Sequence, residues 1–555
     1  MVKKGSAAII AAAFAASVPD HAAAQVPPAA TRDLGSPEER FRVKPPAGLQ
    51  LDTPAPAAPA LPGETVLVER FRFSGSTIVP ESELQAIVAP WTGKRLSPDE
   101  LRAALTAVTA HLRERGLFAA QAVLPSQDVS AGEIRIDIIE GRIGKVDVEQ
   151  PAGSRLRPSV ARGYLSSLQS GTLIARGHLD TPLLLLNDLP GVRVEPSLTP
   201  GSLPGTADLD VKVSDERLFG GFVRVDNHQI REFGEIRYTA QARLRNPLGI
   251  GDLATVEGYR SNTGDELGAG ASYSAPINYH GTRLGAQFGR YRYRLGGDFE
   301  ALRLNGDFRR YSVFAAHPVL RTNNSNLTAY AAYTDVEYND RIDAVALAGT
   351  TRHRFLTARL AGDLADGLFR GGVTAFYLEY QGGDVRGNTP IESPALGTSG
   401  GFDRGRIHFE RLQQVTSGSA AFASFTAQVA SKNLAAGREI LLSGPQGVRA
   451  YPVEELPADQ GYLVKLEYRH RLLAGDRWRT TATGFVDYAH GRFNKEPVVG
   501  TALNTRDIWG YGVALAAAHD AGFSAQLMFA WRGSAAPLTD PGRSPRIWFA
   551  ATQQF

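Results

Sequence analysis

The alternation of apolar and polar positions divides the chain into two parts with different periods. Within residues 64–215, short alternating segments are interrupted by longer segments with a helical period. From about Arg217 to Phe555 the helical period disappears, and one segment with a period of two follows another. A period near 3.6 is typical of helices, and a period of two is typical of half-buried strands. The pattern therefore predicts a mixed α+β region followed by an all-β region.

The mixed region contains the same unit twice. Residues 64–141 predict the order β-α-α-β-β, and residues 142–215 predict that order again. The second helix of the first copy has one apolar face and ends at Gly116, a residue suited to a helix C-cap. Two tandem copies of one supersecondary unit form an internal repeat. Neither copy holds a cluster of acids, bases or nucleophiles, so small adaptor domains are favoured over catalytic domains.

The all-β region has the pattern of a transmembrane barrel. Its segments are close to the length of a tilted bilayer span, and their apolar faces end in aromatic residues. A soluble sandwich also alternates, but the heavily charged opposite face suits a water-filled lumen and not a packed core. Three of the apolar faces are Ile236, Tyr238, Ala240, Ala242 and Leu244; Phe376, Leu378 and Tyr380; and Tyr462, Val464, Leu466 and Tyr468. About 16 segments, an even number, predict a 16-stranded antiparallel transmembrane β-barrel over residues 216–555.

The N-terminal residues predict export from the cytoplasm. Lys3 and Lys4 precede the apolar stretch Ala7–Val18 and an A-x-A site at 22–24, so residues 1–24 are predicted to be a signal peptide. Residues 25–63 predict a short helix that begins near Ser36, followed by an extended linker rich in proline and alanine.

Composition and motifs give no indication of catalysis. The chain has no cysteine, which excludes disulfides and thiolate metal sites, and its net charge of +3 indicates no nucleic-acid partner. The sequence "GTSGG" at Gly397–Gly401 matches a hydrolase pattern, but that pattern requires a strand, a sharp elbow and a helix. Here it lies in a loop between predicted strands. The histidines lack metal-ligand spacing. We therefore predict no catalytic, cofactor-binding or metal-binding residues, and no enzyme.

Four motifs carry a family resemblance. They are the strand-LPSQ-strand-EGRI segment Val123–Ile143, "DNH" at 226–228, "NPLGIGD" at 246–252 and "QGVRAYPVEEL" at 446–456. With these motifs the chain resembles the two-partner secretion transporters, the haemolysin secretion/activation class of a larger outer-membrane assembly superfamily. The resemblance covers nearly the whole mature chain. It implies that residues 64–141 and 142–215 are POTRA domains, and that the helix near Ser36 is a candidate plug of the barrel.

The resemblance also implies a functional loop. In this superfamily, a loop between the eleventh and twelfth barrel strands folds into the lumen and carries a Val-Arg-Gly-Tyr or Phe motif. Residues 443–457 are expected to form this loop, with the motif at Val448, Arg449, Ala450 and Tyr451. Alanine stands at position 450, where glycine is commonest. If that glycine is needed for a positive φ, the backbone at Ala450 is strained.

The partner motif implied by the resemblance, Phe-x-Asp-x-Gly, is expected on the thirteenth strand. Phe485 and Asp487 match it, with Ala489 in place of glycine. Alternation places both residues on the face of Arg479, whose charge indicates the lumen. A guanidinium and a carboxylate form directional, often bidentate hydrogen bonds, so we expect Arg449 to bind Asp487.

The function that the resemblance implies is an outer-membrane pore of a Gram-negative bacterium. It recognises and exports a large partner exoprotein through that protein's N-terminal secretion domain, and activation of the partner is left open. Outer-membrane lipids and the barrel assembly machinery are the other expected partners, with Phe555 as the C-terminal barrel assembly signal. An exposed sheet edge binds an extended chain by strand addition. The candidate edge of the first POTRA domain is Leu117, Phe118, Ala120, Ala122 and Leu124.

Two alternatives remain open at this point. A factor that inserts other barrels into the membrane shares the superfamily and the loop motif, but such factors usually carry more POTRA copies and lack the proline-rich linker. A passive porin for small solutes has no need of two periplasmic adaptor domains.

Overall fold

The computed structural model describes residues 65–475, 477–497, 503–533, 536–540 and 542–555. The predicted signal peptide, candidate plug helix and linker lie outside these residues. The described chain forms two units, an α+β unit that ends at Glu216 and a β-barrel that begins at Arg217. No helix in the described residues is long and apolar enough to cross a bilayer.

The first α+β domain contains the predicted β-α-α-β-β order, with one further short strand between its two helices and one at its start. Its elements are β1 (Val66–Val68), β2 (Arg70–Ser74), α1 (Glu81–Val88), β3 (Lys94–Leu96), α2 (Pro98–Glu114), β4 (Gln121–Val123) and β5 (Glu133–Ile139). Strand β5 lies in the centre of a sheet, parallel to β2 and antiparallel to β4, while β1 pairs with β3. The apolar face of α2 packs on this sheet, because Leu101, Val108 and Leu112 are buried in one cluster with strand residues.

The second α+β domain repeats the topology of the first. Its elements are β6 (Arg142–Glu149), α3 (Pro158–Tyr164), α4 (Arg176–Asn187), β7 (Val192–Pro200) and β8 (Thr206–Asp215). The last strand, β8, is again central, parallel to β6 and antiparallel to β7. The internal repeat predicted from the sequence is therefore present in the sheet order.

The predicted strand over residues 117–124 was wrong in its extent. Strand β4 covers Gln121–Val123 alone, because the preceding residues close helix α2. The amide of Leu117 donates to the carbonyl of Leu112 at 3.1 Å, and the amide of Gly116 donates to the carbonyl of Arg113 at 2.9 Å. Gly116 has a φ of +89°, the left-handed conformation that favours glycine at a helix cap. Leu117 is consequently buried in the core and does not lie on the sheet edge.

The second unit is a closed barrel of 16 antiparallel strands, which confirms the predicted fold. The strands are β9 (Phe219–Asp226), β10 (Arg237–Arg245), β11 (Leu253–Ser261), β12 (Glu266–Pro276), β13 (Arg283–Arg294), β14 (Leu304–Arg321), β15 (Ser325–Ile342), β16 (Leu347–Asp366), β17 (Gly372–Asn388), β18 (Gly400–Thr416), β19 (Ser419–Ala430), β22 (Gln460–Ala474), β23 (Trp478–Arg492), β24 (Thr505–His519), β25 (Phe523–Arg532) and β26 (Arg546–Gln554). Two short strands, β20 (Ile440–Leu441) and β21 (Pro457–Ala458), pair with each other inside the loop between β19 and β22.

The last strand closes the barrel on the first. Residues Ala550–Gln554 pair with Phe222–Asp226, and Phe555 exchanges backbone hydrogen bonds with Gly221. The start of β9 and the end of β26 therefore lie at the same end of the barrel. The loop between β19 and β22 leaves the wall at the opposite end, because β9 and every second strand after it run away from the chain termini.

The two faces of the strands follow the predicted alternation. On β17, Leu378 is 58% exposed and points outward, whereas Glu379 is 3% exposed and points into the barrel. The same holds on β22, where Leu466 and Tyr468 are exposed on the outer face. An apolar exterior and a polar interior are the opposite of a soluble protein and suit a barrel surrounded by lipid.

The N-cap of α2 gives a test of the first domain. The Ser97 hydroxyl accepts a hydrogen bond from the Glu100 amide, and the Glu100 carboxylate accepts one from the Ser97 amide at 2.7 Å. The Ser97 amide and hydroxyl also lower the pKa of the Glu100 carboxyl. We expect Ser97→Ala to destabilise α2 by about 1 kcal/mol. Hydrogen exchange of the full-length protein would then be several-fold faster at the start of α2. Ser97→Asp, which keeps a cap acceptor, should preserve protection, and equal protection in all three proteins would contradict the capping role.

Candidate functional site

The loop between β19 and β22, residues 431–459, folds back into the barrel. Its residues Leu442, Val448 and Tyr451 are fully buried, and they share one cluster with inward-facing residues of the wall. The wall contributes Leu463, Phe485, Ala489, Ile508, Ala514, Met528, Ala530 and Trp548. We call this segment the lumenal loop. It leaves the wall after the eleventh strand and rejoins it at the twelfth, the position expected from the sequence.

The lumenal loop has an ordered internal structure. Its two arms pair through β20 and β21, and the Leu442 amide donates to the Leu456 carbonyl at 3.0 Å. The chain then turns so tightly that the Val448 amide donates to the Leu442 carbonyl at 2.9 Å. A side chain at Gly447 would lie 2.3 Å from the Ser443 nitrogen, so the turn requires glycine there. These contacts fix the loop tip, which carries Arg449.

Arg449 binds two carboxylates at once. Its Nε donates to Asp487 Oδ2 at 2.8 Å and its Nη2 donates to Asp487 Oδ1 at 2.6 Å, which is the bidentate arrangement. Its Nη1 donates to Glu467 Oε1 at 2.8 Å. The backbone amide of Arg449 also donates to Asp487, at 3.1 Å. The structure thus brings together Arg449 and Asp487, the two groups that the sequence analysis paired, and adds Glu467.

The surroundings of this ion pair exclude water. Arg449 is 4% exposed and Asp487 is fully buried. The guanidinium carbon lies 3.6 Å from the centre of the Phe485 ring, so the phenylalanine of the strand motif covers its face. Removing one partner of a buried pair leaves the other charge uncompensated, which costs about 3–5 kcal/mol. Arg449 and Asp487 are therefore strongly dependent on each other.

The backbone of the motif contacts the last strand of the barrel. The indole Nε1 of Trp548 on β26 donates to the carbonyl of Arg449 at 2.7 Å. The ring of Trp548 in turn lies edge-on to His228, which follows the first strand. The loop tip is thus bonded to the last strand, and Trp548 connects it to the residues that follow the first strand, where the barrel closes.

Glu455 forms a second anchor that the sequence analysis did not identify. This buried carboxylate pairs with Arg506 on β24 and accepts hydrogen bonds from the amides of Leu538 and Thr539, at 2.6 and 3.0 Å. The Thr539 hydroxyl donates to it as well, at 2.6 Å. No periodic signal marks Glu455, because it lies in a loop and its partners are 51 or more residues away.

The base of the lumenal loop is held by backbone and carboxylate contacts. The Asp459 carboxylate accepts hydrogen bonds from the amides of Leu434 and Lys495, at 2.9 and 2.8 Å. The Arg438 carbonyl accepts a bond from Arg404 on β18 at 2.8 Å. The loop is therefore attached to the wall at its base, at Glu455 and at its tip.

Ala450 is not strained. The residues of the lumenal loop with positive φ are Gly437, Gly444 and Glu454. The Ala450 methyl group lies instead against Gly510 of β24, where an added Cβ would be 2.3 Å from it. The space beside position 450 is thus provided by a glycine in the wall, and Ala450 requires no unusual backbone conformation.

The remaining predicted residues occupy varied positions. Val448 and Tyr451 are buried within the loop cluster, and Phe555 is exposed at the end of the barrel. Of the candidate sheet-edge set, Ala122 alone lies in β4; Leu117 and Ala120 are in the domain core, and Phe118 and Leu124 are partly buried. Gly397–Gly401 runs from the residue after a short 3-10 turn into the first residues of β18, without the strand-elbow-helix that a hydrolase motif needs. Within the described residues, no group of His, Asp or Glu side chains is arranged to hold a metal ion.

Comparisons with known families identify the chain. The family described as haemolysin secretion/activation protein ShlB/FhaC/HecB matches residues 205–516, and the POTRA domain of ShlB type matches residues 66–141. The chain is 27% identical over 424 residues to the heme/hemopexin transporter protein HuxB of Haemophilus influenzae, covering 75% of this chain and 74% of that protein. It is 24% identical over 432 residues to the outer membrane transporter CdiB of Escherichia coli, covering 75% and 71%.

Solved structures share the fold. CdiB from Escherichia coli superimposes with a TM-score of 0.69 at 18% identity, covering 93% of this chain and 95% of that one. BamA from Haemophilus ducreyi lacking POTRA domains 1–3 gives a TM-score of 0.52 at 14% identity, covering 88% and 100%. With a match over more than half of its length, the chain belongs to the haemolysin secretion/activation family. It is an outer-membrane transporter of the two-partner secretion type, with its POTRA domains in the periplasm.

The contact between Ala450 and Gly510 gives a test of the loop position. We expect Gly510→Ala to push the loop tip away from β24, since its methyl group would overlap Ala450, and to cost about 1–3 kcal/mol of loop docking. Hydrogen exchange across residues 443–457 would then accelerate. Adding Ala450→Gly should restore protection in part, because the Trp531 carbonyl at 2.9 Å still crowds the new methyl group.

Gly484→Ala is the matched control for that experiment. It adds the same methyl group to the neighbouring strand β23, where nothing lies within 4 Å of the new carbon. Loop protection should not change in this variant. Equal protection in Gly510→Ala and Gly484→Ala would show that Ala450 does not pack on β24.

Proposed function

We propose that this member of the haemolysin secretion/activation family exports its partner protein through the barrel lumen, and that displacement of the lumenal loop opens the path. The observation that supports the proposal is the position of Arg449, buried inside the barrel and bound to Asp487 and Glu467 of the wall. While these bonds are made, the loop occupies space that a translocating chain needs. Export therefore requires the loop to move.

The chemistry of the anchors suits a removable loop. At about 4 Å and an effective dielectric near 20, one ion pair contributes about 4 kcal/mol of Coulomb energy, and less where lumenal water enters. The wall is held by continuous backbone ladders, whereas the tip and Glu455 depend on a few side chains. A translocating chain that supplies polar groups of its own can replace such bonds without opening the wall.

Capture of the partner is assigned to the POTRA domains. We propose that an extended segment of the exoprotein's N-terminal secretion domain adds to β4, whose other side pairs with β5. This edge is Gln121–Val123, shorter than the segment predicted from the sequence. We propose also that Phe555, at the exposed end of β26, is the signal for the barrel assembly machinery.

The family is one of secretion transporters, and we propose that the chain catalyses no reaction. Support comes from Gly397–Gly401, which leads from a turn into strand β18 and not into a helix, and from the use of Arg449 and Asp487 as structural partners. A role in inserting other barrels is not favoured, because the likeness to BamA extends to the fold alone.

Replacing Arg449 tests the proposed role of the loop. In Arg449→Ala, Asp487 and Glu467 lose their shared cation, and a penalty of about 3–5 kcal/mol shifts loop docking by more than 100-fold. Without its anchor the loop has no single position in the lumen from which the partner displaces it, so it obstructs the path in many positions. We therefore expect secretion of the partner exoprotein, measured in the culture medium by immunoblotting, to fall at least about tenfold. Arg449→Lys keeps the charge but loses the bidentate geometry, so secretion by this variant should lie between that of the wild type and that of Arg449→Ala.

Arg359→Ala is the control for Arg449→Ala. Arg359 also lies on the barrel interior and bonds Glu379, but Glu379 keeps Arg404 when Arg359 is removed. Secretion should stay near the wild-type level in this variant. Heat-modifiable migration on gels checks that each barrel is folded and inserted. Undiminished secretion by a correctly inserted Arg449→Ala protein would exclude the proposed role.

A further inference from the structure

The outer face of the barrel changes from apolar to charged at one level on four successive strands. The change falls between Phe288 and Arg290 on β13, Arg309 and Tyr311 on β14, Tyr333 and Asp335 on β15, and Arg354 and Leu356 on β16. The charged residues lie toward the end of the barrel away from the chain termini, which is the cell-surface end because the POTRA domains are periplasmic. Aromatic girdles mark the membrane interface of such barrels, so the charged positions lie at the headgroup level of the outer leaflet.

Three arginines are concentrated at this level on β13 and β14. Arg290 lies directly opposite Arg309 in the strand register, and Arg292 lies two residues farther along β13 on the same face. All three side chains are exposed. Opposed residues of an antiparallel pair have Cβ atoms about 4.5–5.5 Å apart, and next neighbours on one face of a strand are about 7 Å apart. We call Arg290, Arg292 and Arg309 the arginine patch.

The arginines of the patch lack counter-ions in the part of the chain that the structure describes. Among the residues that the structure describes, no carboxylate forms an ion pair with any of the three. Asp307, opposite Arg292, is the one acid on this face of β13 and β14, and Arg294 adds a further cation. Like charges directly opposite each other destabilise a sheet. Within the described residues, no ion pair offsets the repulsion between Arg290 and Arg309.

The neighbouring strands show that this charge pattern is local. Arg352 and Arg354 on β16 both pair with Asp335 on β15, and Arg386 on β17 pairs with Asp384. These three arginines lie above the same aromatic level, and each has an acidic partner. The arginines of the patch differ from them in having none among the described residues.

Three arginines unpaired within the described residues suit an anionic ligand, and the apolar surface below the patch indicates what kind of molecule carries that anionic group. The rings of Phe288 and Tyr311 pack together with centres 5.1 Å apart, and Val313 extends the exposed apolar strip toward the middle of the membrane. A ligand that fits both parts has hydrocarbon chains below and an anionic headgroup above. Guanidinium groups bind phosphate with paired, charge-assisted hydrogen bonds. We propose that the arginine patch binds the phosphate groups of the phosphorylated glycolipid of the outer leaflet, lipopolysaccharide.

The proposal depends on the orientation of the barrel in the outer membrane and not on the lumenal loop. Lipid binding and secretion of the partner are therefore separate readouts. A variant that loses lipid and still secretes would leave the proposed export path intact, and loss of secretion in Arg449→Ala would not bear on the lipid site.

Native mass spectrometry of the full-length protein in detergent, titrated with diphosphorylated lipid A, tests the proposal. We expect the wild type to bind the lipid and Arg290→Gln/Arg292→Gln/Arg309→Gln to bind it at least about 30-fold more weakly, since each cation near a charged lipid surface contributes several-fold. Lipid A without its phosphate groups should bind the wild-type protein and the triple variant equally weakly, because it offers the arginines no anion. Inorganic phosphate at the same concentration should not displace the lipid.

Asp384→Asn/Arg386→Gln is the matched control for the triple variant. It removes charges from the same level of the outer face, but from an existing ion pair. Its lipid binding should equal that of the wild type, and heat-modifiable migration checks folding of each protein. Three results would overturn the proposal: equal binding by the triple variant, equal binding of phosphate-free lipid, or displacement by inorganic phosphate, which would indicate a site for free phosphate.

Discussion

The burial of Arg449 inside the barrel is the constraint on which the rest of the site depends. A guanidinium that is 4% exposed is stable only where its donors are satisfied, because a buried unpaired charge costs several kcal/mol. Asp487 and Glu467, on two adjacent strands, meet that requirement, and Phe485 covers the face of the group. The loop tip consequently has one favourable position in the lumen. The inward faces of β22 and β23 must therefore each carry an acid at the level of the loop tip. This explains why charged residues occupy the face of each strand that would be apolar in a soluble fold.

The same loop is joined to widely separated parts of the wall. Its tip contacts β26 through Trp548, Glu455 contacts β24 and the loop before β26, and its base contacts β18 and the residues after β23. All of these contacts are made by side chains or loop backbone, in contrast to the ladders of the wall. Moving the loop therefore breaks side-chain bonds that can form again and leaves the closure of β26 on β9 unbroken. This difference between wall and loop is the physical basis for a pore that opens without unfolding.

Much of this arrangement could be predicted from the sequence, because alternation is a local signal. Alternation placed Asp487 and Phe485 on the inner face, and the family resemblance placed the lumenal loop between the eleventh and twelfth strands. Alternation also placed Glu467 on the inner face. The bond from Arg449 to Glu467, however, depends on where the loop tip lies along the wall, and alternation within a strand gives no information about that position. Glu455 lacked any signal, since its partners are distant in the chain. The error at residues 117–124 arose because the alternation there coincides with a helix cap, and the hydrogen bond from Leu117 to Leu112 commits that segment to closing α2.

The alanines at 450 and 489 show that the requirement in the lumen is for small volume at a contact and not for glycine at a fixed position. Ala450 has an ordinary φ, and the room for its methyl group comes from Gly510 on the facing strand. Ala489 is fully buried in the same cluster, where its register partners are Leu463 and Ile508. Close approach of loop and wall can thus be achieved by removing a side chain from either surface. A substitution from glycine to alanine in the loop motif is tolerated where the wall supplies the missing space, so the motif must be judged together with the strand that it contacts.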